Sequence, residues 1–217
     1  MEKIIYALGI GHNTPVFIDL AESCGYVVGG LYHYNGDRTG QIDHGFKIIG
    51  SFNDLLSKGN LDGMNFLLTM GDNERRTNLS ERIINMGGKV PTLIHPMAVI
   101  SRFSKISSVG VYISPFTYIQ ADSSVDSFTV LLSHVNISHS THIGKSCFIA
   151  GMAVVGAYTN VEDYVFIGQG ALSISGKVNS IGKFAYIGAR SLITRDIPAY
   201  SVVAGSPARI IEKHEYK

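Results

Sequence analysis

A six-residue period organises the second half of this chain. Counting from Ile113 in steps of six, the residues are Ile113, Ile119, Val125, Leu131, Ile137, Ile143, Ile149, Val155, Val161 and Ile167. Ile, Leu and Val make up 56 of the 217 residues, so ten aliphatic hits at one phase arise by chance on the order of once in a million. The residue four further on is always compact: Thr117, Ser123, Thr129, Val135, Thr141, Cys147, Ala153, Thr159, Val165, Ala171. Both columns must face a narrow interior. A period of six fits neither an α-helix nor a hairpin sheet. It fits short parallel strands joined by sharp corners and stacked as a prism, a hexapeptide β-helix. After Ile167 the register slips, with residues 173–180 filling eight positions instead of six before the count resumes at Ile181, Ile187 and Ile193. The two extra residues, around Gly176 and Lys177, are expected to bulge outward.

Residues 1–95 follow a different rhythm. Short apolar runs alternate with amphipathic stretches, as a parallel α/β layer requires. Strands are expected at residues 3–9, 27–32, 64–70 and 90–94. Helices are expected at 15–23, with Val16, Phe17, Leu20 and Ala21 inward, at 52–58, and at 74–86 after the cap-like Asp72 and Asn73. This is a small Rossmann-like unit, too short for two full nucleotide-binding halves. The chain therefore divides into a Rossmann-like domain, 1–95, and a β-helix domain, 96–217.

Charge narrows the partners. Eighteen Lys and Arg stand against seventeen Asp and Glu, a net charge of +1, which leaves no cationic surplus for nucleic acid or an anionic membrane. Small molecules and copies of the same chain fit better. Two cysteines, Cys24 and Cys147, cannot build a disulfide framework, no segment reads as an export signal, and none is long and apolar enough to span a membrane. The expectation is a cytoplasmic, soluble protein. Glycine, at 24 residues, exceeds the usual level of about 7% and points to tight turns.

The α/β unit, the segment Ile94-His95-Pro96, the hexads and the tail Gly205-Ser206-Pro207-Ala208-Arg209 occur together. So do Gly71-Asp72-Asn73 with Arg75, and Ile137-Ser138-His139 with Ile143-Gly144. In this combination the chain resembles the bacterial nucleotide-sugar acetyltransferases that modify bacillosamine, perosamine and related amino sugars, with sialic-acid O-acetyltransferases as close relatives. The resemblance implies a left-handed β-helix, a homotrimer, acetyl-CoA in the groove between neighbouring β-helices, and the activated sugar near the N-terminal unit. It further implies N-acetylation for a surface glycan such as an O-antigen, with O-acetylation as the main alternative.

Transfer from a thioester to an amine or hydroxyl needs a base. His134, His139 and His142 lie within nine residues. His139 holds the third hexad position, outside both inward columns, and projects from the prism. From spacing alone it is either a base or an exposed polar residue; the resemblance makes it the catalytic histidine. The family usually follows this histidine with Glu or Asp, and here Ser140 stands instead. Ala157, eighteen residues on, stacks on the same column, where the resemblance puts a backbone N–H, usually from Gly, against the acetyl oxygen. Gly156, His142, Gly205 and Arg209 are the other expected CoA contacts, Arg209 meeting a phosphate.

The nucleotide is expected at Gly9, Gly11, His12 and Asn13, where a strand turns into a helix and backbone amides can accept a diphosphate. Leu8 replaces an earlier glycine of the family's turn. His33 and Tyr34 replace an acidic pair that touches the nucleoside. Two other readings compete. Zinc carbonic anhydrases share the hexapeptide helix, and His134 and His139 have the five-residue spacing of two zinc ligands, but Ala98 stands where a third histidine belongs. A scaffold that has lost its chemistry would explain Ser140. The expectation is no metal.

Overall fold

The computed structural model describes residues 2–213, in two compact units, Met1–Leu93 and Ile94–Lys217.

The first unit is a five-stranded sheet with three helices. Its elements are β1 (Lys3–Leu8), α1 (Thr14–Ser23), β2 (Tyr26–His33), β3 (Ile42–Asp43), β4 (Phe46–Ser51), α2 (Phe52–Leu56), β5 (Asn65–Leu68) and α3 (Asn73–Asn85). The order is β3-β4-β2-β1-β5, parallel except for the short antiparallel pair β3 and β4. Strands buried on both faces read as apolar runs, and Ile5, Ala7, Leu8, Phe66, Leu67 and Leu68 are fully buried. Helix α1 buries Phe17, Ile18, Leu20 and Ala21, whereas Val16 is 47% exposed. Val16 and Phe17 are 100° apart on a helix, and the inward stripe passes through Ile18 instead. Asp72 caps α3, accepting from the Arg75 N–H at 2.9 Å. Strands β3 and β4 were not foreseen, because polar residues of the loop obscure their short alternation. Of the expected run at 90–94, only Leu93–Ile94 forms a strand.

The second unit is a parallel prism. Two-residue strands stack on three faces with pairings such as Tyr118 to Asn136, Ser124 to His142 and Phe148 to Phe166, each eighteen residues apart. Every member of the two expected inward columns is at most 2% exposed. Stacking begins earlier than Ile113, since Val99–Ile100 and Lys105–Ile106 already pair into the faces. Seven residues separate Ile106 from Ile113, which hides that coil from a strict six-residue count. The slip is where it was expected: Asn160 pairs with Ser180, a turn forms at residues 175–177, and Ser173 takes the aliphatic position at 2% exposure. Asp196 pins the far side of this bulge through the N–H groups of Asn179 (2.6 Å) and Ser180 (3.1 Å). The Asn179 bond is the main reason its carboxyl sits below the usual range.

Glycine takes tight turns at Gly110, Gly170, Gly176 and Gly205, as expected, but it does not supply most corners of the prism. The left-handed corners fall on every sixth residue and are mostly not glycine: Phe116, Asp122, Phe128, His134, Ser140, Ser146, Met152, Tyr158 and Tyr164 have φ between 55° and 64°. Such a backbone costs a non-glycine residue about 1 kcal/mol or more and persists only where its surroundings enforce it. At one corner Tyr164, Phe184 and Tyr200 stack with centroids 4.7 and 5.3 Å apart. The glycines Gly144, Gly156, Gly168 and Gly182 instead sit where the next coil crosses closely. A Cβ on Gly168 would lie 2.6 Å from Ala189 N, and one on Gly156 would lie 2.6 Å from Ser173 O.

Candidate functional site

Coil stacking turns the eighteen-residue spacing into adjacency. Ile137 pairs with Val155 and Ser173 with Ile193, so His139, Ala157, Ser175 and Arg195 form one outward column of third-position residues. His139 is exposed. Its ring meets Tyr158 edge-on, centroids 5.1 Å apart at 89°, and its Nδ1 lies 3.3 Å from Ser140 Oγ, at the long end of hydrogen-bond range. With Nδ1 carrying the proton toward Oγ, Nε2 keeps its lone pair and faces outward. Ser140 occupies a left-handed corner, φ 55°, and that turn bends its hydroxyl back toward the imidazole.

The ladder between coils uses second-position N–H groups, as in Ser138 N–H to Val155 O at 2.9 Å. Third-position N–H groups find side chains instead. The His139 N–H donates to Gln120 Oε1 at 3.3 Å and the Ala157 N–H to Ser175 Oγ at 2.9 Å. Ala157 is itself only 4% exposed, and the Gly156 N–H donates to Ser173 Oγ at 2.8 Å. The Ala157 N–H, expected to face the acetyl oxygen, is therefore engaged by a serine, and so is its neighbour at Gly156.

The other histidines separate. His142 lies on the following strand, its Nδ1 2.8 Å from Ser124 Oγ and its Nε2 3.6 Å from Asp126 Oδ2. His134 belongs to a different corner and packs on Phe116, centroids 4.9 Å apart. Among the described residues no group of three His, Cys, Asp or Glu side chains is placed to hold a metal ion.

At the far end of the prism, Gly205 has φ 100° and the Ser206-Pro207 peptide is cis. Arg209 lines a cavity of about 270 Å³ together with Arg195, Asp196 and Pro198. Arg195 was not foreseen, since the two-residue slip moves it out of the eighteen-residue count from His139; counting twenty from Ser175 recovers it.

In the first unit, Gly9, Gly11, His12, Asn13 and Tyr34 line a pocket of about 380 Å³ with Phe52, Met70, Gly71 and Arg75. The Gly9 and Gly11 amides are not free for a diphosphate. The first donates to Tyr32 O at 3.1 Å and the second to Thr14 Oγ1 at 2.9 Å. Thr14 in turn meets Thr69 Oγ1 at 3.0 Å, and Thr69 donates to Gly9 O at 2.7 Å. This buried threonine pair, unread in the sequence, fixes the turn. His33 does not line the pocket: it is 7% exposed, bonded to Asn35 Oδ1 at 2.8 Å. Arg75, at the start of α3 and largely exposed, is the pocket's fixed cation.

No protein-family model matches the chain. The GDP-perosamine N-acetyltransferase of Escherichia coli O157:H7 is 30% identical over 151 residues, 68% of each chain. The chain belongs to this family of hexapeptide-repeat nucleotide-sugar acetyltransferases. A 2,3,4,5-tetrahydropyridine-2,6-dicarboxylate N-acetyltransferase of Staphylococcus aureus is 36% identical over 76 residues, 34% of this chain and 31% of that one. Two solved structures share the fold over nearly the whole length. PerB of Caulobacter crescentus, in complex with CoA and GDP-perosamine, has TM-score 0.84, 24% identity and coverage of 96% of this chain and 97% of that one. WeeI of Acinetobacter baumannii has TM-score 0.84, 22% identity and coverage of 96% and 100%. The prism of this acetyltransferase thus matches the left-handed β-helix of its relatives. Among its described residues, no helix is long and apolar enough to cross a membrane.

Proposed function

We propose that this acetyltransferase moves the acetyl group of acetyl-CoA to the amino group of a deoxy-amino sugar carried on a nucleoside diphosphate. The first unit acts as a Rossmann-like nucleotide-sugar domain and the second binds CoA. The observation that carries the reading is the His139 column, with an exposed imidazole tied at Nδ1 and one coil from Ala157, about 4.8 Å away. The amine arrives as ammonium and loses one proton to solvent. Its nitrogen attacks the acetyl carbonyl carbon while His139 Nε2 takes the second proton. The C–S bond then breaks, and His139 returns that proton to the CoA sulfur. Ser140 orients the ring without the charge that a carboxylate would add to stabilise the imidazolium. Arg195, about three coils or 14 Å along the column, and Arg209 in the same cavity suit a CoA phosphate. Tyr34, Phe52 and Met70 offer apolar surface to the nucleoside, and Arg75, His12 and Asn13 meet its phosphates in place of the committed glycine amides.

A homotrimer belongs to the same reading. One outward column of the prism is polar: Lys105, Ser124, His142, Asn160, Ser180. The others carry Val99, Tyr118 and Leu172, exposed by 41–60% with Asn136 among them, and a stack that runs from the buried Phe148 through Phe166 to the exposed Tyr186. Apolar ladders of this extent call for cover, and closed symmetry supplies it. Light scattering is expected to return three copies at micromolar concentration; a monomer removes the shared CoA groove.

The test of function is a mass-spectrometric screen of UDP-, dTDP- and GDP-linked amino sugars with acetyl-CoA, in which one donor gains a single acetyl group. On that donor, Gly11→Val is expected to raise the sugar KM at least tenfold with the CoA KM unchanged. A Cβ at Gly11 meets nothing within 4 Å, so the fold accepts it and the loss belongs to the ligand. Equal changes in both KM values would make the N-terminal pocket structural only.

A further inference from the structure

We infer that Ser175 is a further catalytic residue, its hydroxyl placed between the Ala157 N–H and the acetyl oxygen. The inference rests on the acetyl-transfer reading above and concerns how this chain stabilises the negative charge that develops on that oxygen. Third-position N–H groups point out of the ladder, and the one at Ala157 donates to Ser175 Oγ at 2.9 Å. Ala157 is 4% exposed whereas Ser175 is exposed, so the outermost polar atom at this level of the column is the serine oxygen. Ser175 stands two coils from His139 by backbone, and its side chain folds back one coil toward the base. Its Oγ accepts from the amide, and no described residue accepts its proton. That proton is free to be aimed at a ligand.

The same contact occurs two hexads earlier, where the Lys145 N–H donates to Asp163 Oδ1 at 2.9 Å, and beside Ser175 it borders the register slip. The two added residues fall immediately after Ser175, where Gly176 has φ 70° and residues 175–177 form the outward turn. Val178 then resumes the inward column, fully buried. Ser175 itself keeps the eighteen-residue register to Ala157 and leans over its N–H, and Asp196 braces the outgoing strand at Asn179 and Ser180. A hydroxyl that accepts an N–H bond is polarised and donates more strongly. When the amine attacks, the carbonyl π pair moves to oxygen and the Ser175 O–H bonds to that oxyanion. No proton is transferred from serine. The oxyanion collapses as the C–S bond breaks, and Ser175 is unchanged.

Two arrangements can be told apart. If Ser175 only covers the Ala157 N–H, Ser175→Ala uncovers the amide and kcat stays or rises. If the hydroxyl carries the contact, Ser175→Ala lowers kcat about ten- to hundredfold with little change in either KM, and Ser175→Thr, which keeps the hydroxyl, restores most of the rate. The second readout needs no sugar. In difference infrared spectra with acetyl-CoA carrying 13C at the thioester carbonyl, the bound C=O stretch of the wild-type protein and of Ser175→Thr is expected at lower frequency than in solution, and Ser175→Ala is expected to return much of that shift. Acetyl-CoA bound with the same carbonyl frequency in wild type and Ser175→Ala overturns the inference while leaving the acetyltransferase reading intact. Failure of the wild-type protein to bind acetyl-CoA overturns that reading, and this inference with it.

Discussion

His139→Asn is expected to lower kcat for acetyl transfer by a factor of 10² to 10⁴, the usual contribution of a positioned base, with the sugar and CoA KM values nearly unchanged. Asparagine keeps a polar side chain of similar size on the exposed third position but has no nitrogen lone pair to take the amine proton. The ring's neighbours limit side effects. Tyr158 meets it only edge-on, and Ser140 holds it through one long bond. Ser140→Ala should cost far less, because a neutral hydroxyl orients the imidazole without stabilising its cation electrostatically. His134→Asn should be close to silent, since that side chain belongs to another corner beside Phe116. Steady-state kinetics on the acetylated donor decide the matter. Normal kcat in His139→Asn together with loss in His142→Asn would move the base to the strand that carries Ser124 and Asp126.

The largest effect on stability is expected from Gly168→Val. A Cβ there would lie 2.6 Å from Ala189 N, 2.7 Å from Ile187 O and 2.8 Å from the Gly188 carbonyl carbon, all backbone of the next coil. Relief requires prying apart strands whose inward residues, Ile167 and Ile187, are at most 1% exposed. Overpacking at a backbone crossing should exceed about 4 kcal/mol, a drop of roughly 10 °C in the thermal midpoint for a chain of this size. Gly170→Asn is the control. Gly170 has φ 67°, yet equivalent corners already hold His134 and Met152 in the same conformation, and a Cβ there first meets the Arg190 Cγ at 3.6 Å. A midpoint within a few degrees of wild type is expected. Thermal unfolding with the two variants reversed in order would mean that turn geometry, and not coil spacing, is why the chain uses glycine.

The prism was legible in the sequence because two columns repeat without exception from Ile113 to Ala171, and such a period has one packing solution. Its first coil was not, because one extra residue before Ile113 breaks the count. Burial in the N-terminal unit followed from apolar runs, but β3 is only two residues long and the apolar run of β4 is interrupted by Lys47 and Gly50. At the site, His139 and its stack with Ala157 follow from arithmetic modulo eighteen. That Ser175 takes the Ala157 N–H, or that Thr14 takes the Gly11 N–H, depends on side-chain hydroxyls bending toward particular amides, and no spacing rule encodes it. Glycine marked turns in the N-terminal unit, where Gly9, Gly25, Gly45 and Gly87 have positive φ, but in the prism it serves close approach as well. Its abundance signals either unusual dihedrals or close approach, and only the coil geometry tells which.

The slip after Ser175 also bears on how such a prism can change over time. Two residues enter at a corner, yet Ile181, Ile187 and Ile193 return to the buried column; the inserted length is absorbed within one coil. Extra loop length is cheap, about 0.6 kcal/mol per doubling, provided that it leaves through a corner whose backbone already turns outward. A face tolerates no such addition, because a shift of one residue there would turn Ile and Val toward water in every later coil. Each corner is thus a port at which chain length can be gained or lost locally. The port beside His139 opens directly onto the chemistry, so a change of one or two residues there could retune acyl or acceptor preference in a single mutational event while the interior stays as it was.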